Sequence, residues 1–441
     1  MPEQQSVDRE IARNAIALHA KFKGKVQMVP KCPIEGPRDF GIWYTPGVAA
    51  PCLEIERDPK LSYELTNRGN TVAVISDGSR VLGLGDIGPL AGMPVMEGKA
   101  LLFKFLGGVD AIPICINAHS ADSIASVVEA IEPSFGAINL EDIAQPKCFD
   151  VLDRLRKSLT IPIWHDDQQG TAAVVLGALI NALEIVGKKI NEVRIAMIGM
   201  GAANVANYRL LKAAGISVGN VVACDTTGIL GEWRSDIEAE QILFRDKWRV
   251  CVETNTDRIR GGAGEALRGA DICIAFSQSG PDVIKPQWIS AMARNAIVLA
   301  CANPVPEIWP RDALRAGARI AATGRGDFAN QVNNALAFPG VFRGALDVQA
   351  RAITDEMAMA AARALADSAR VGGWTGETHL LPALGELDVA AKVAAAVGIE
   401  AQRQKLASTA LTHQDLYEGA LKKIHLARDQ VTNLQVRRNP V

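Results

Sequence analysis

The stretch VRIAMIGMGAAN, Val193 to Asn204, decides how this chain folds. After Val193 and Arg194 its first part is an apolar run, Ile195 to Ile198, as expected for a strand in a buried parallel sheet. Gly199 and Gly201 then permit a tight turn, and a helical pattern continues to about Ala214. A second apolar strand, Val221 to Cys224, ends at Asp225. Strand, glycine turn, helix, strand and terminal acid together open a dinucleotide-binding Rossmann unit. The turn lets a pyrophosphate approach the backbone, the free N–H groups of the helix stabilise it, and the acid accepts from a ribose. The expected cofactor contacts are therefore Gly199, Gly201, Ala202, Ala203, Asn204 and Asp225. Gly-x-Gly alone would equally suit an ordinary tight turn, and Asn204 stands where a third glycine is usual. The order of the elements carries the reading.

Working outward, apolar runs at Ile272 to Phe276, Ala296 to Cys301 and Arg319 to Ala322 continue a mainly parallel sheet. Upstream, Thr71 to Ile75, Ala111 to Ile116, Gly136 to Leu140 and Ile161 to Trp164 read as strands, with a helix at Ala121 to Ile131. Residues 8 to 23 have helical spacing, whereas Pro30 to Pro51 is rich in Pro and Gly and predicts little regular structure. The segments 347–369 and 411–431 read as helical. The expected architecture is α/β. It comprises an N-terminal α/β substrate and metal domain (1–165), a Rossmann domain (166–340) and a helical C-terminal segment (341–441) that returns to the first domain.

Composition narrows the function. At 441 residues the chain exceeds one ordinary domain of roughly 100–200 residues, so two domains and a cleft are expected. With 48% hydrophobic and 22% charged residues it is globular, and a net charge of -2 without aromatics interleaved with Lys/Arg argues against nucleic acid. The 8 cysteines include no Cys-x-x-Cys pair, which favours a reducing compartment. No basic-then-apolar leader is visible, and the apolar stretch Thr171 to Gly187 is short and interrupted by Asn181 and Glu184. A cytoplasmic protein without a membrane partner is the simplest expectation.

Two acidic pairs follow strands: Glu141-Asp142 after Gly136 to Leu140, and Asp166-Asp167 after Ile161 to Trp164. Either acid of the second pair would also suit a helix N-cap. Acids at equivalent strand ends, however, supply three or four oxygen ligands for a hard cation such as Mg²⁺ or Mn²⁺. Lys99 precedes the apolar run Ala100 to Phe103, where desolvation could make it a base, although most lysines are solvated surface groups. Arg80 lies in a glycine-containing loop suited either to a surface turn or to bidentate binding of a carboxylate. Tyr44 sits in WYTPGV, 43–48, a fixed irregular loop that could bury it or present its phenol as a proton donor.

Several separate motifs now occur in one order: WYTPGVA (43–49), DGSRVLGLGD (77–86), EGK (97–99), NLEDI (139–143), HDDQQGTA (165–172), CANP (301–304) and NNALAFPG (333–340). Together they resemble the malic enzymes, in the short bacterial-type form, over roughly residues 10 to 370. The resemblance implies a homodimer or homotetramer that converts malate to pyruvate and carbon dioxide with NAD or NADP and Mg²⁺ or Mn²⁺. It implies that Glu141, Asp142 and Asp167 ligate the metal, with Asp166 beside Lys99. By the same resemblance Arg80 binds the malate carboxylate next to the hydroxyl-bearing carbon, and Asn303 and Asn333 contact substrate or nicotinamide ribose. Lys99 with Asp166 would remove the hydroxyl proton, and Tyr44 would protonate the enolate. No basic residue immediately follows Asp225, which leans towards NAD, while Arg234 is near enough in sequence to reach a 2′-phosphate. The competing readings are a malolactic enzyme, an oxaloacetate decarboxylase and a noncatalytic dinucleotide-binding regulator.

Overall fold

The structure, a computed structural model, describes residues 2–373 and 375–438. Four strands, β1 (Thr71–Ser76), β2 (Asp110–Cys115), β3 (Ala137–Leu140) and β4 (Ile163–His165), form a parallel sheet in the order β2-β1-β3-β4. Parallel neighbours need crossovers, and the helices Gly88–Gly107, Ala121–Ile131 and Lys147–Ser158 supply them. One face of the sheet packs Ile75 and Ile138 against Ile124, Val128, Leu152 and Leu155. The other contributes Val72 and Val74, with Met96 and Phe103, to the main core. Burial on both faces is why β1 reads as a continuous apolar run, Val72 to Ile75, and why β3 is buried throughout, Asn139 included, rather than alternating.

β4 runs through a wide turn, Asp166–Gly170, into the helix Thr171–Val186. By length and composition the span Asp166–Val186 could cross a membrane, yet 78% of its most apolar window is buried inside the protein. It is a core helix. Its residues belong to the same apolar cluster as Val72 of the first sheet and Ile195 of the second, so the two units share one core. The second sheet contains β5 (Ile195–Ile198), β6 (Val221–Asp225), β7 (Gly228–Ile229), β8 (Ile272–Ala275), β9 (Ile297–Ala300) and β10 (Ile320–Thr323), in the order β10-β9-β8-β5-β6-β7. All its pairings are parallel except β6 with β7. This is the mainly parallel Rossmann-type unit that the glycine turn predicted. The two-residue β7 is too short to leave a periodic signal.

After β10 come the helices Phe338–Asp347, Asp355–Val371, Val389–Arg403 and His413–Arg438. The last lies against Gly88–Gly107, where Arg428 Nε donates to the Phe105 carbonyl at 3.0 Å. Beneath it Arg343, 1% exposed, donates to both oxygens of Asp347 at 3.0 and 2.7 Å and to Asn70. Lys423 reaches Asp347 from the last helix. A guanidinium so enclosed is tolerable only because its donors are satisfied. The stretch Pro30 to Pro51 is more regular than expected. It contains the helix Asp39–Trp43 and the start of Ala49–Arg57, the former entered through Asp39, whose carboxylate accepts from the Glu35 and Gly36 N–H groups. Helices this short show no 3.6-residue period.

Candidate active site

Register places the acids. Leu140 of β3 pairs with His165 of β4, so Glu141-Asp142 and Asp166-Asp167 emerge side by side at the carboxyl edge of one sheet. Oxygens of Glu141, Asp142 and Asp167 all lie within 4.8 Å of one another. Asp142 takes a left-handed backbone conformation, φ 54, and its N–H donates to Asp167 Oδ2 at 2.8 Å. Asn139 Nδ2 holds Glu141 Oε2 at 3.0 Å. Asp142 Oδ2 is buried and has no hydrogen-bond partner among the described residues. Burial pushes the Glu141 and Asp167 carboxyls up and that of Asp142 up to about 8, with Asp167 adding to the effect on the other two. Three converging carboxylates with an unsatisfied buried oxygen fit a hard divalent cation.

Lys99 comes from the opposite side, on the helix Gly88–Gly107. Its ammonium is hydrogen bonded to Asp166, 3.2 Å from Glu141 Oε1 and 3.3 Å from Asn334 Oδ1, and it stands 4.6 Å over the Phe338 ring. Burial opposes its charge, but Asp166, Glu141 and Asp167 outweigh burial and keep it protonated above the ordinary lysine range. The Trp164 indole N–H donates to Asp166 Oδ1 at 3.1 Å. That carboxylate occupies the space a Cβ on Gly170 would need, which explains a glycine in the turn. Neither acid caps the helix. Asp167 accepts across the sheet edge from Asp142, and the turn has no side-chain cap.

The remaining candidates are distributed around this centre. The Arg80 N–H donates to the Asp142 carbonyl at 3.0 Å, and its exposed guanidinium is close enough to lower both the Asp142 and Asp167 carboxyls against the effect of burial. Asn333 Nδ2 donates to the Gly324 carbonyl at 3.1 Å, while its Oδ1 accepts from the Ala335 N–H. Asn303 lies against the same Gly324, so the two asparagines share one corner. Tyr44 is not brought in: it is 71% exposed, and among the described residues no contact around Lys99 or the carboxylates involves it.

At the dinucleotide turn, Gly199 has φ +83, and a Cβ there would lie 2.5 Å from the Phe276 carbonyl. Gly201 precedes the helix Ala202–Ala213, whose first turn holds Ala202 and Ala203. Asn204 explains its own departure from glycine: fully buried, its amide donates to the Gly199 and Ile198 carbonyls at 2.7 and 3.1 Å and locks the turn. Asp225 is engaged by Arg234 at 2.9 and 3.1 Å and by Lys247 at 3.4 Å; against the effect of burial, these cations hold its carboxyl low.

Trp164, Asn334, Phe338 and Glu307 are part of the surroundings without having been singled out in the sequence. Trp164 and Asp166 are two residues apart at a strand end, and that same-face spacing was the available signal for the first. Asn334 adjoins Asn333. Buried Glu307 accepts from the Ser277 and Ala302 N–H groups at 2.7 and 3.0 Å, joining the loops after β8 and β9. Its position after ANPVP gives no periodic cue.

Comparison with known proteins agrees with this geometry. The family "Malic enzyme, N-terminal domain" matches residues 23–123, and "Malic enzyme, NAD binding domain" matches residues 168–402. The chain is 45% identical to an NAD-dependent malic enzyme of Geobacillus stearothermophilus over 87% of its own length and 78% of the relative's. It is 41% identical to a bifunctional malic/malolactic enzyme of Bacillus subtilis, covering 93% and 98% of the two chains. A crystal structure of Entamoeba histolytica malic enzyme superposes with a TM-score of 0.96 at 45% identity, covering 100% of this chain and 92% of that one. With both family domains matched in sequence order and relatives more than 40% identical over most of its length, this chain belongs to the malic enzyme family.

Proposed function

We propose that the chain oxidatively decarboxylates malate to pyruvate and carbon dioxide, reducing NAD or NADP and requiring Mg²⁺ or Mn²⁺. The observation that supports this most directly is the convergence of Glu141, Asp142 and Asp167 beside the Lys99–Asp166 pair. In this reading residues 1–165 bind substrate and metal, 166–340 bind the dinucleotide, and 341–441 brace the first unit. Arg80 binds the malate carboxylate next to the hydroxyl-bearing carbon, and Asn303 and Asn333 border substrate and nicotinamide ribose. A divalent cation held by Glu141, Asp142 and Asp167 would, when bound, offset the carboxylate charge that keeps Lys99 protonated and polarise the reacting oxygen, while the nicotinamide would take the hydride. Lys99 Nζ, backed by Asp166, takes the hydroxyl proton. The acid that returns a proton to the enolate left by loss of carbon dioxide is Tyr44. Gly199, Gly201, Ala202 and Ala203 receive the pyrophosphate, Asn204 shapes that turn, and Asp225 faces the ribose. The eight free thiols fit a cytoplasmic setting.

A second reading, malolactic conversion of malate to lactate, is favoured by the similarity to the bifunctional Bacillus subtilis enzyme. Product analysis with malate, NAD or NADP and Mn²⁺ separates the readings. Equal amounts of pyruvate and reduced nicotinamide are expected. Lactate without net nicotinamide reduction would replace the first reading with the second, and nucleotide-independent loss of carbon dioxide from oxaloacetate alone would remove both.

A further inference from the structure

Glu307 is 0% exposed, and among the described residues no cation pairs with it. Enclosing a carboxylate without a counter-charge is costly unless hydrogen bonds satisfy both of its oxygens. Here they do. Oε1 accepts from the Ser277 N–H at 2.7 Å and from the Ser277 hydroxyl at 3.1 Å, and Oε2 accepts from the Ala302 N–H at 3.0 Å. Every one of these partners donates, so both oxygens must be acceptors. A glutamine in the same place would turn an NH₂ group towards one of the donors. The buried charge is thereby committed to one task, holding the loop after β8 to the loop after β9.

Those two loops border the dinucleotide turn and the asparagine corner. Ser277 follows Phe276, whose carbonyl fills the space beside Gly199; a Cβ on Gly199 would also lie 2.8 Å from the Ser277 Cα. The loop after β8 is therefore the wall against which the turn is built. Ala302 precedes Asn303, which is enclosed between two glycines. A Cβ on Gly83 would lie 2.3 Å from the Asn303 carbonyl, and one on Gly324 would lie 3.1 Å from its Nδ2. Further along, the Ser279 hydroxyl donates to the Val305 carbonyl and accepts from the Val305 N–H, each at 3.0 Å. The Ile284 N–H donates to the Glu307 carbonyl at 3.0 Å. Wholly enclosed, the Glu307 carboxylate meets no ligand itself and acts only through Ser277 and Ala302.

Sheet order decides which part of a dinucleotide would feel this clamp. In the order β10-β9-β8-β5-β6-β7, the clamped loops lie on one side of β5 and Asp225, at the end of β6, lies on the other. We propose that Glu307 is a positioning residue for the nicotinamide riboside half of the cofactor: by fastening Ser277 to Ala302 it fixes Asn303 relative to the Gly199 turn. The inference rests on the reading that places the pyrophosphate at that turn and the nicotinamide ribose at Asn303. Loops held in the binding geometry beforehand spare the ligand the cost of ordering them. The adenosine half, facing Asp225, draws nothing from the clamp.

Direct titration of the full chain in metal-free buffer tests this by comparing each dinucleotide with a ligand that lacks the nicotinamide riboside, NAD with ADP and NADP with 2′,5′-ADP. Glu307→Gln is expected to weaken whichever dinucleotide the wild type binds by about tenfold or more, the scale of hydrogen bonds to a charged group. Binding of the shorter ligand should stay at the wild-type value. Unchanged dinucleotide affinity would overturn the inference. So would an equal loss for the shorter ligand, which is what a merely structural role produces. Should Glu307→Gln fail to fold, Ser277→Ala removes only the hydroxyl donor at 3.1 Å and keeps the carboxylate in place. A smaller loss confined to the dinucleotide is then expected, and its absence would overturn the inference equally. Failure of the underlying reading is separable, since the wild-type chain would then bind none of the four ligands.

Discussion

The Asp142 N–H donates to Asp167 Oδ2 at 2.8 Å, so the end of β3 is fastened to the end of β4 by a group of the candidate metal site itself. One carboxylate thereby positions its neighbour, with Asp142 buried and Asp167 partly exposed. Without a cation that arrangement is electrostatically unfavourable, and this gives it measurable consequences.

The first concerns pH. Burial, with Asp167 close by, raises the Asp142 carboxyl from an ordinary 3.8 to about 8 in the folded protein. Between those values the folded state holds a proton that the unfolded chain has released, so raising the pH through this window lowers stability. The metal-free protein should therefore melt at a lower temperature near pH 8 than near pH 5. Mn²⁺ should reverse the loss. Asp142→Asn should reduce the dependence, which the raised carboxyls of Glu141, Asp166 and Asp167 share, and weaken the response to Mn²⁺. Thermal melts across this range with and without chelator check all three, and a metal-free protein that melts higher at pH 8 would contradict the account.

Lys99→Ala should reduce malate turnover by roughly 10²–10⁴-fold, the usual scale of a positioned acid–base group. Nucleotide affinity should change little, because Lys99 contacts Asp166, Glu141 and Asn334 rather than the Gly199 turn. Steady-state kinetics alongside direct NAD binding would show the split; equal losses in both would point to misfolding.

Coenzyme choice should respond to Asp225, whose carboxylate is shared with Arg234 and Lys247. Asp225→Ala removes the proposed acceptor for a ribose hydroxyl and leaves two cations behind. The ratio of kcat/KM for NADP over that for NAD should rise about tenfold or more, the scale of one hydrogen bond to a charged group. An unchanged ratio would place the ribose elsewhere.

Much of this was legible from sequence because parallel strands are apolar throughout and place their following residues at one edge. NLEDI and IWHDD could thus be read as strand ends without coordinates. The Lys99–Asp166 contact was hidden from strand and helix patterns and was expected only through the family resemblance, since it joins residues 67 apart and depends on how one crossover helix packs. The exposure of Tyr44 was equally hidden: WYTPGV fixes a turn but does not say which surface it meets. Asn204 shows the converse, a departure from the glycine pattern whose reason appears only when its amide is seen to bridge the turn carbonyls.

The C-terminal brace gives a stability prediction that does not depend on the chemistry. Arg343→Ala leaves Asp347 with Lys423 alone and frees Asn70, so it should cost about 3–5 kcal/mol, as for other broken buried ion pairs. Urea unfolding measures it. A loss below ~1 kcal/mol would mean that Lys423 suffices.

The most direct test of the central claim is a calorimetric titration of the metal-free protein with Mn²⁺, on the wild type and on Glu141→Gln, Asp142→Asn and Asp167→Asn. One Mn²⁺ per chain is expected for the wild type, with each substitution weakening binding at least tenfold, because the three side-chain oxygens lie within 4.8 Å of one another. Binding of unchanged affinity in all three variants would show that the paired strand ends do not form the metal centre.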